Sequence, residues 1–354
     1  MEKDQKKKER RERRKYRLLI LLLLMLGTGI MLATSTYAWF TANKTVGVST
    51  LEVNIDAKNG IQISADGTKW KSVLQKTDIT SAHGTYTASQ NQLPDQLEPV
   101  STAGIVDASG KFPMYYGTVI TSTFDDATKG EYLLTATKET EQETNGEGSP
   151  AKFIAFDVFF KVEQDTNVYL TPNSAVTSTD AGGVDLGIKN ASRVGFVVLG
   201  NTASSDTVAN IQALNNGAAS TSYIWEPNYN THTDNGIANA RDVYKNDATA
   251  SAGTLVPYSG IIDTIADTDK ILLGKATETD NATKFKNVTP TYTTKFGFTH
   301  YPKILTLTKG VTKVRIYMWV EGQDVDCENF ASGGNIAFDL QFTSDKPEGA
   351  SETE

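Results

Sequence analysis

Asp324, Asp326 and Glu328 recur at every second residue in EGQDVDCEN, just beyond a strongly apolar run. Carboxylates at that spacing after a strand can converge on a hard cation, and calcium is the ion their oxygens suit. The segment is not an EF-hand loop. Counted from Asp324, Asn329 stands at the sixth position, where glycine is needed, and Asn335 at the twelfth, where glutamate is needed. The competing reading is a solvated turn whose carboxylates accept backbone N–H bonds. A second segment, Trp225 to Asp234 (WEPNYNTHTD), mixes aromatics with Asn, His and Asp. Such a loop either contacts a ligand, sugars included, or is pinned by Trp and Tyr packing with Asx turns.

Catalytic patterns are missing from the sequence. His83, His232 and His300 have no second histidine four residues on, so no H-E-x-x-H metallopeptidase site is present. There is no G-x-S-x-G elbow, P-loop or dinucleotide fingerprint in the body. Cys327 is the sole cysteine, so no internal disulfide forms, and nothing beside it activates a thiol. The expectation is a non-enzymatic protein without catalytic residues or an organic cofactor. A hydrolase would need His232 or His300 to converge with carboxylates in a pocket.

The elements that must carry these residues read as strands. The chain has 354 residues, 46 of them Thr, with 28 Gly, 14 Tyr and 14 Phe, a composition that leans to strands and turns. Val46 and Val48, then Leu51, Val53 and Ile55, alternate in TVGVSTLEVNI; the slip in phase marks a bulge or a break between two strands. In KFIAFDVFFKV (152–162) Ile154, Phe156, Val158, Phe160 and Val162 form one apolar face. In VTKVRIYMWV (311–320) Val314, Ile316, Met318 and Val320 share one face; Lys313, Arg315, Tyr317 and Trp319 share the other. Ile336, Phe338, Leu340 and Phe342 point inward from a closing strand. The predicted fold is an all-β sandwich of jelly-roll or Greek-key type over residues 39–343. A polar insertion is expected at 201–250, with short helices at 208–214 and 237–244, and an acidic disordered tail at 344–354.

The net charge of −8 conceals two opposite regions. Residues 1–17 hold ten basic and four acidic side chains, a net of +6; the remainder holds 24 basic and 38 acidic, a net of −14. A nucleic-acid-binding body is therefore not expected. Leu18–Phe40 is 23 residues without a charge. As a helix rising about 1.5 Å per residue, it spans a bilayer core of about 30 Å. The basic arm would stay in the cytoplasm and the body would be exported. Small residues Thr36 and Ala38 fit a signal-peptidase cut between Ala38 and Trp39. Against a cut, the aromatics Tyr37, Trp39 and Phe40 could form the outer belt of a retained membrane anchor.

ATSTYAWFT (33–41), followed by GVSTLEV (47–53), resembles the start of TasA/camelysin-type secreted matrix proteins of Gram-positive bacteria. In that family a signal peptide read by a SipW-type peptidase ends just before an aromatic pair, and a Gly-containing first strand follows. The resemblance implies a jelly roll that self-associates into extracellular biofilm-matrix fibres. It is specific at 33–53 and generic elsewhere, and the peptidase label of some camelysins finds no matching site here. Cleavage would free Trp39, Phe40, Val46 and Val48 as a donor segment that adds to a neighbouring subunit; the same residues could instead be the first strand of their own sandwich. The alternative function is a membrane-anchored adhesin that binds glycan or host protein without polymerising.

Overall fold

The computed structural model describes residues 45–56, 60–120, 133–139, 146–147, 151–178, 187–229, 231–234, 258–261, 270–272, 285–294, 301–324, 326–327 and 334–344. The chain divides into two units at Ala38 and Trp39, and the fold below belongs to the second. The expectations on residues 18–40, on a helix at 237–244 and on the tail from 345 lie outside the described residues. Among the described residues no helix is long and apolar enough to cross a membrane.

The chain changes sheet at nearly every step. β1 (Val46–Asp56), β3 (Val73–Gln75) and β5 (Gln96–Leu97) lie in one sheet, with β2 (Gln62–Ser64) and β4 (Asn91–Leu93) between them in sequence but in the other. β6 (Met114–Ile120) and β7 (Leu133–Glu139) leave both sheets as an antiparallel pair. β8 (Gly146–Glu147) and β9 (Ile154–Val162) return to the second sheet, β10 (Thr166–Leu170) and β11 (Ala175–Ser178) to the first, β12 (Ser192–Thr202) and β13 (Thr221–Glu226) to the second. β14 (Tyr258–Ile261) pairs with β16 (Phe285–Val288), and β15 (Lys270–Leu272) extends β7. β17 (Tyr292–Thr293) and β19 (Gly310–Val320) belong to the second sheet, β18 (Lys303–Leu307) and β20 (Asn335–Thr343) to the first. The first sheet runs β18-β10-β20-β1-β3 and the second β17-β13-β12-β19-β9-β4-β8. This repeated crossing between two packed sheets is the jelly-roll or Greek-key sandwich that the alternating pattern predicts.

The slip in phase at the start of β1 is a bulge inside one strand. β1 runs parallel to β20 with Val48 opposite Ile336 and Thr50 opposite Ala337, so Ser49 is the extra residue, and its Oγ donates to the Ile336 carbonyl at 3.1 Å. The core forms where both sheets turn their apolar faces inward. Phe342 of the first sheet meets Phe160 and Phe196 of the second edge-on, with ring centroids 5.8 and 6.1 Å apart. Ile336, Phe338, Leu340 and Phe342 are all fully buried, as their alternation predicts.

The second sheet is buried on its outer face as well. Every residue of β19 is buried, because Tyr86, the chain from Val100 to Tyr116 and the helix α1 (Val208–Gln212) cover that face. Phe112 packs on Tyr317 and Trp319 there. Gly195 makes room for it: a Cβ at that position would come within 2.6 Å of the Phe112 ring. The expected insertion at 201–250 is corrected in part. Thr221–Glu226 is β13, antiparallel to β12, and so belongs to the scaffold. Residues 208–212 are helical, two residues shorter than the predicted 208–214.

Candidate functional site

The outer face of the second sheet carries two buried charge clusters. Neighbouring strands create the first: Asp157 on β9 lies opposite Arg315 on β19. Arg315 Nε donates to Asp157 Oδ1 at 2.8 Å, and Lys313 Nζ lies 3.4 Å from Asp157 Oδ2. Lys313 also donates to the Tyr86 hydroxyl at 2.6 Å and to the Gln212 carbonyl at 2.9 Å. The Tyr86 hydroxyl in turn bonds Asp157 Oδ2 at 3.2 Å. Burial alone would raise the Asp157 pKa, but Arg315 and Lys313 outweigh it and hold the carboxyl below its usual range. Burial is the larger influence on Lys313 and draws its pKa down.

The second cluster brings together the two segments that stand out in the sequence. β12 supplies Arg193 at its start and β13 supplies Glu226 at its end. The turn after β13 supplies His232, and the turn after β19 supplies Asp324 and Asp326. Arg193 Nη2 lies 2.7 Å from Glu226 Oε1 and 2.5 Å from Asp324 Oδ2. Asp324 Oδ1 accepts the Asp326 amide at 2.8 Å, folding the turn on itself. Asp326 Oδ1 accepts the Thr233 amide and hydroxyl at 2.8 and 2.7 Å, and its Oδ2 lies 2.5 Å from His232 Nδ1. Asn190 clamps the histidine turn by donating to the Thr231 carbonyl at 2.6 Å. Gly187, at φ +83°, passes so close that a Cβ would sit 3.1 Å from that of Asp326.

Ligand-type atoms of His232, Asp324 and Asp326 lie within 4.8 Å of one another, and all three residues are buried. Burial pushes the Glu226 carboxyl up to about 7 against the pull of Arg193, and raises Asp326 against its bond to His232. For His232 burial acts downward, but the Asp326 bond and the surrounding carboxylates prevail and its pKa rises. Glu321, at the end of β19, is pushed up to about 7 by burial despite accepting the Trp319 indole N–H at 3.0 Å.

Of the expected carboxylate triad, Asp324 and Asp326 come together; Glu328 lies outside the described residues. The turn is buried rather than solvated, Asp324 and Asp326 being 6% and 0% exposed, but its carboxylates do accept the backbone N–H bonds that the turn reading expects. Trp225 is fully buried, with its indole N–H bonded to Thr294 Oγ1 at 3.1 Å, so its ring is closed to a sugar. Arg193 was not legible as a site residue. Its signal is a charge at the head of an otherwise apolar strand, RVGFVVL. Val46 is buried opposite Leu97 of β5, and half-buried Val48 packs on the core, so both sit in their own sandwich here. Ala38, Trp39 and Phe40 lie outside the described residues.

The fold is a β-sandwich with two charge clusters buried in the cover of one sheet. No family model, curated protein or solved structure matches the chain.

Proposed function

We propose that the chain is an exported structural protein, anchored or released at the cell surface, that assembles into extracellular fibres by exchanging its first strand. One observation carries the reading. β1 is an interior strand of its sheet, between β20 and the short strands β3 and β5, yet its neighbour in the chain, β2, is in the other sheet. No hairpin therefore ties β1 to the strands it pairs with. Its hold is the parallel ladder to β20, short antiparallel pairings with β3 and β5, and the burial of Val46, Leu51, Val53 and Ile55. An identical β1 from another copy satisfies the same ladder and fills the same groove, so exchange keeps the native contacts. Passed head to tail, such an exchange builds an open filament. The uncharged run at 18–40 would hold the segment at the membrane until a cut after Ala38 releases it.

Negative-stain microscopy and light scattering of chains 39–354 and 51–354 test the reading. The longer chain should form filaments, and the shorter should not. A longer chain that stays monomeric, or filaments that persist without residues 39–50, would overturn it.

A further inference from the structure

We infer that His232, Asp324 and Asp326 form a binding site for a divalent transition ion of the zinc class, with Glu226 as the adjoining carboxylate. The inference stands apart from fibre assembly and starts from uncompensated charge. Glu226, Asp324 and Asp326 set three carboxylates against two basic groups, the Arg193 guanidinium and, when protonated, the His232 imidazole paired with Asp326. A buried carboxylate must be paired, protonated or bound to a metal. Two polar groups are left over. The His232 side chain is fully buried and its Nε2 has no partner. The Glu226 side chain is fully buried too, and neither of its oxygens receives a hydrogen bond, although Oε1 faces Arg193 as an ion pair. An unused imidazole nitrogen and an unused carboxylate oxygen beside two aspartates form a Lewis-basic set without an electrophile.

The donor types choose the ion. One imidazole nitrogen with two or three carboxylate oxygens suits zinc, whereas calcium takes six to eight oxygens. Donors of a tetrahedral zinc stand about 3.3 Å apart, given Zn–N and Zn–O bonds of about 2.0 Å; the ligand-type atoms lie within 4.8 Å of one another, and the 2.5 Å contact between His232 Nδ1 and Asp326 Oδ2 would open as an ion enters. Binding requires neutral imidazole and ionised carboxylates, and any proton they carry leaves to solvent. Arg193, held by the Asn190 and Ser192 carbonyls at 2.9 and 3.0 Å, would steady Asp324 from outside the coordination sphere.

Full-length chain in detergent, stripped with chelator, loaded with zinc and dialysed, should retain about one zinc per chain by mass spectrometry. Its melting temperature should rise with micromolar zinc and stay unchanged in millimolar calcium. His232→Gln should lose the zinc, while Glu328→Ala should keep it. Cobalt substituted in the wild type gives a visible spectrum that reports a nitrogen ligand even if His232→Gln does not fold. Wild-type chain that retains no zinc, a folded His232→Gln chain that retains as much as wild type, or a melting shift with calcium and not zinc would overturn the assignment. Filament formation by the zinc-free chain would leave the fibre reading intact, so the two ideas fail separately.

Discussion

The two charge clusters on the second sheet are built from the same residue types and differ in their balance. Around Asp157 one carboxylate meets two cations, a phenol and the Gln90 main-chain N–H, and the carboxyl stays ionised. Around Arg193 one guanidinium meets several carboxylates, and burial lifts Glu226 and Glu321 to about 7. A buried charge is tolerated in proportion to how fully its neighbours replace water. In the Asp157 cluster the chain's own cations hold the carboxylate ionised. The Arg193 cluster needs a proton or a metal ion to balance it.

The largest expected effect breaks the Asp157 cluster. Asp157→Asn leaves Arg315 and Lys313 buried beside a neutral side chain and should cost about 3–5 kcal/mol. Urea unfolding at neutral pH measures it, and a loss under about 1 kcal/mol would mean that water already serves the two cations.

The next is the pH response of metal-free protein, where the clusters have opposite signs. Glu321 has a folded pKa of about 7 against an ordinary 4.5. The unfolded chain gives up that proton first, so stability falls as pH rises between those values, by at most about 3 kcal/mol. Asp157 has a folded pKa below its ordinary 3.8, so its contribution is present above that value and lost as pH falls through the folded value. Stability should peak at about pH 4, as unfolding curves across the range would reveal. Stability that keeps rising towards pH 8 would show that Glu321 is ionised and compensated.

The smallest effect concerns the turn that holds the aspartates. Cys327 is buried beside Asp326, and its amide bonds the Asp324 carbonyl at 3.0 Å. Cys327→Ser should cost about 1–2 kcal/mol and leave the cluster's pH response unchanged. A larger loss in thermal melts would give the thiol a share in holding the turn.

Sequence periodicity determined the sandwich and much of its inner core. The alternation in 152–162, 311–320 and 334–342 places apolar side chains on one face by backbone geometry alone, and β9, β19 and β20 follow it. It also marked Asp324 and Asp326 as a pair, because residues two apart in a turn share local geometry. The sequence could not tell that Lys313, Arg315, Tyr317 and Trp319 face a covering layer. Period two separates the faces of a strand but is silent on what lies over them. Nor could it join Trp225–Asp234 to the turn at 324–326, nearly a hundred residues away. Only the pairing of β13 with β12, and of β12 with β19, sets Glu226, Arg193 and Asp324 side by side. Local pattern fixes which way a side chain points along its own strand; which charges meet in the cover is decided by strand order, a long-range property that no short window contains.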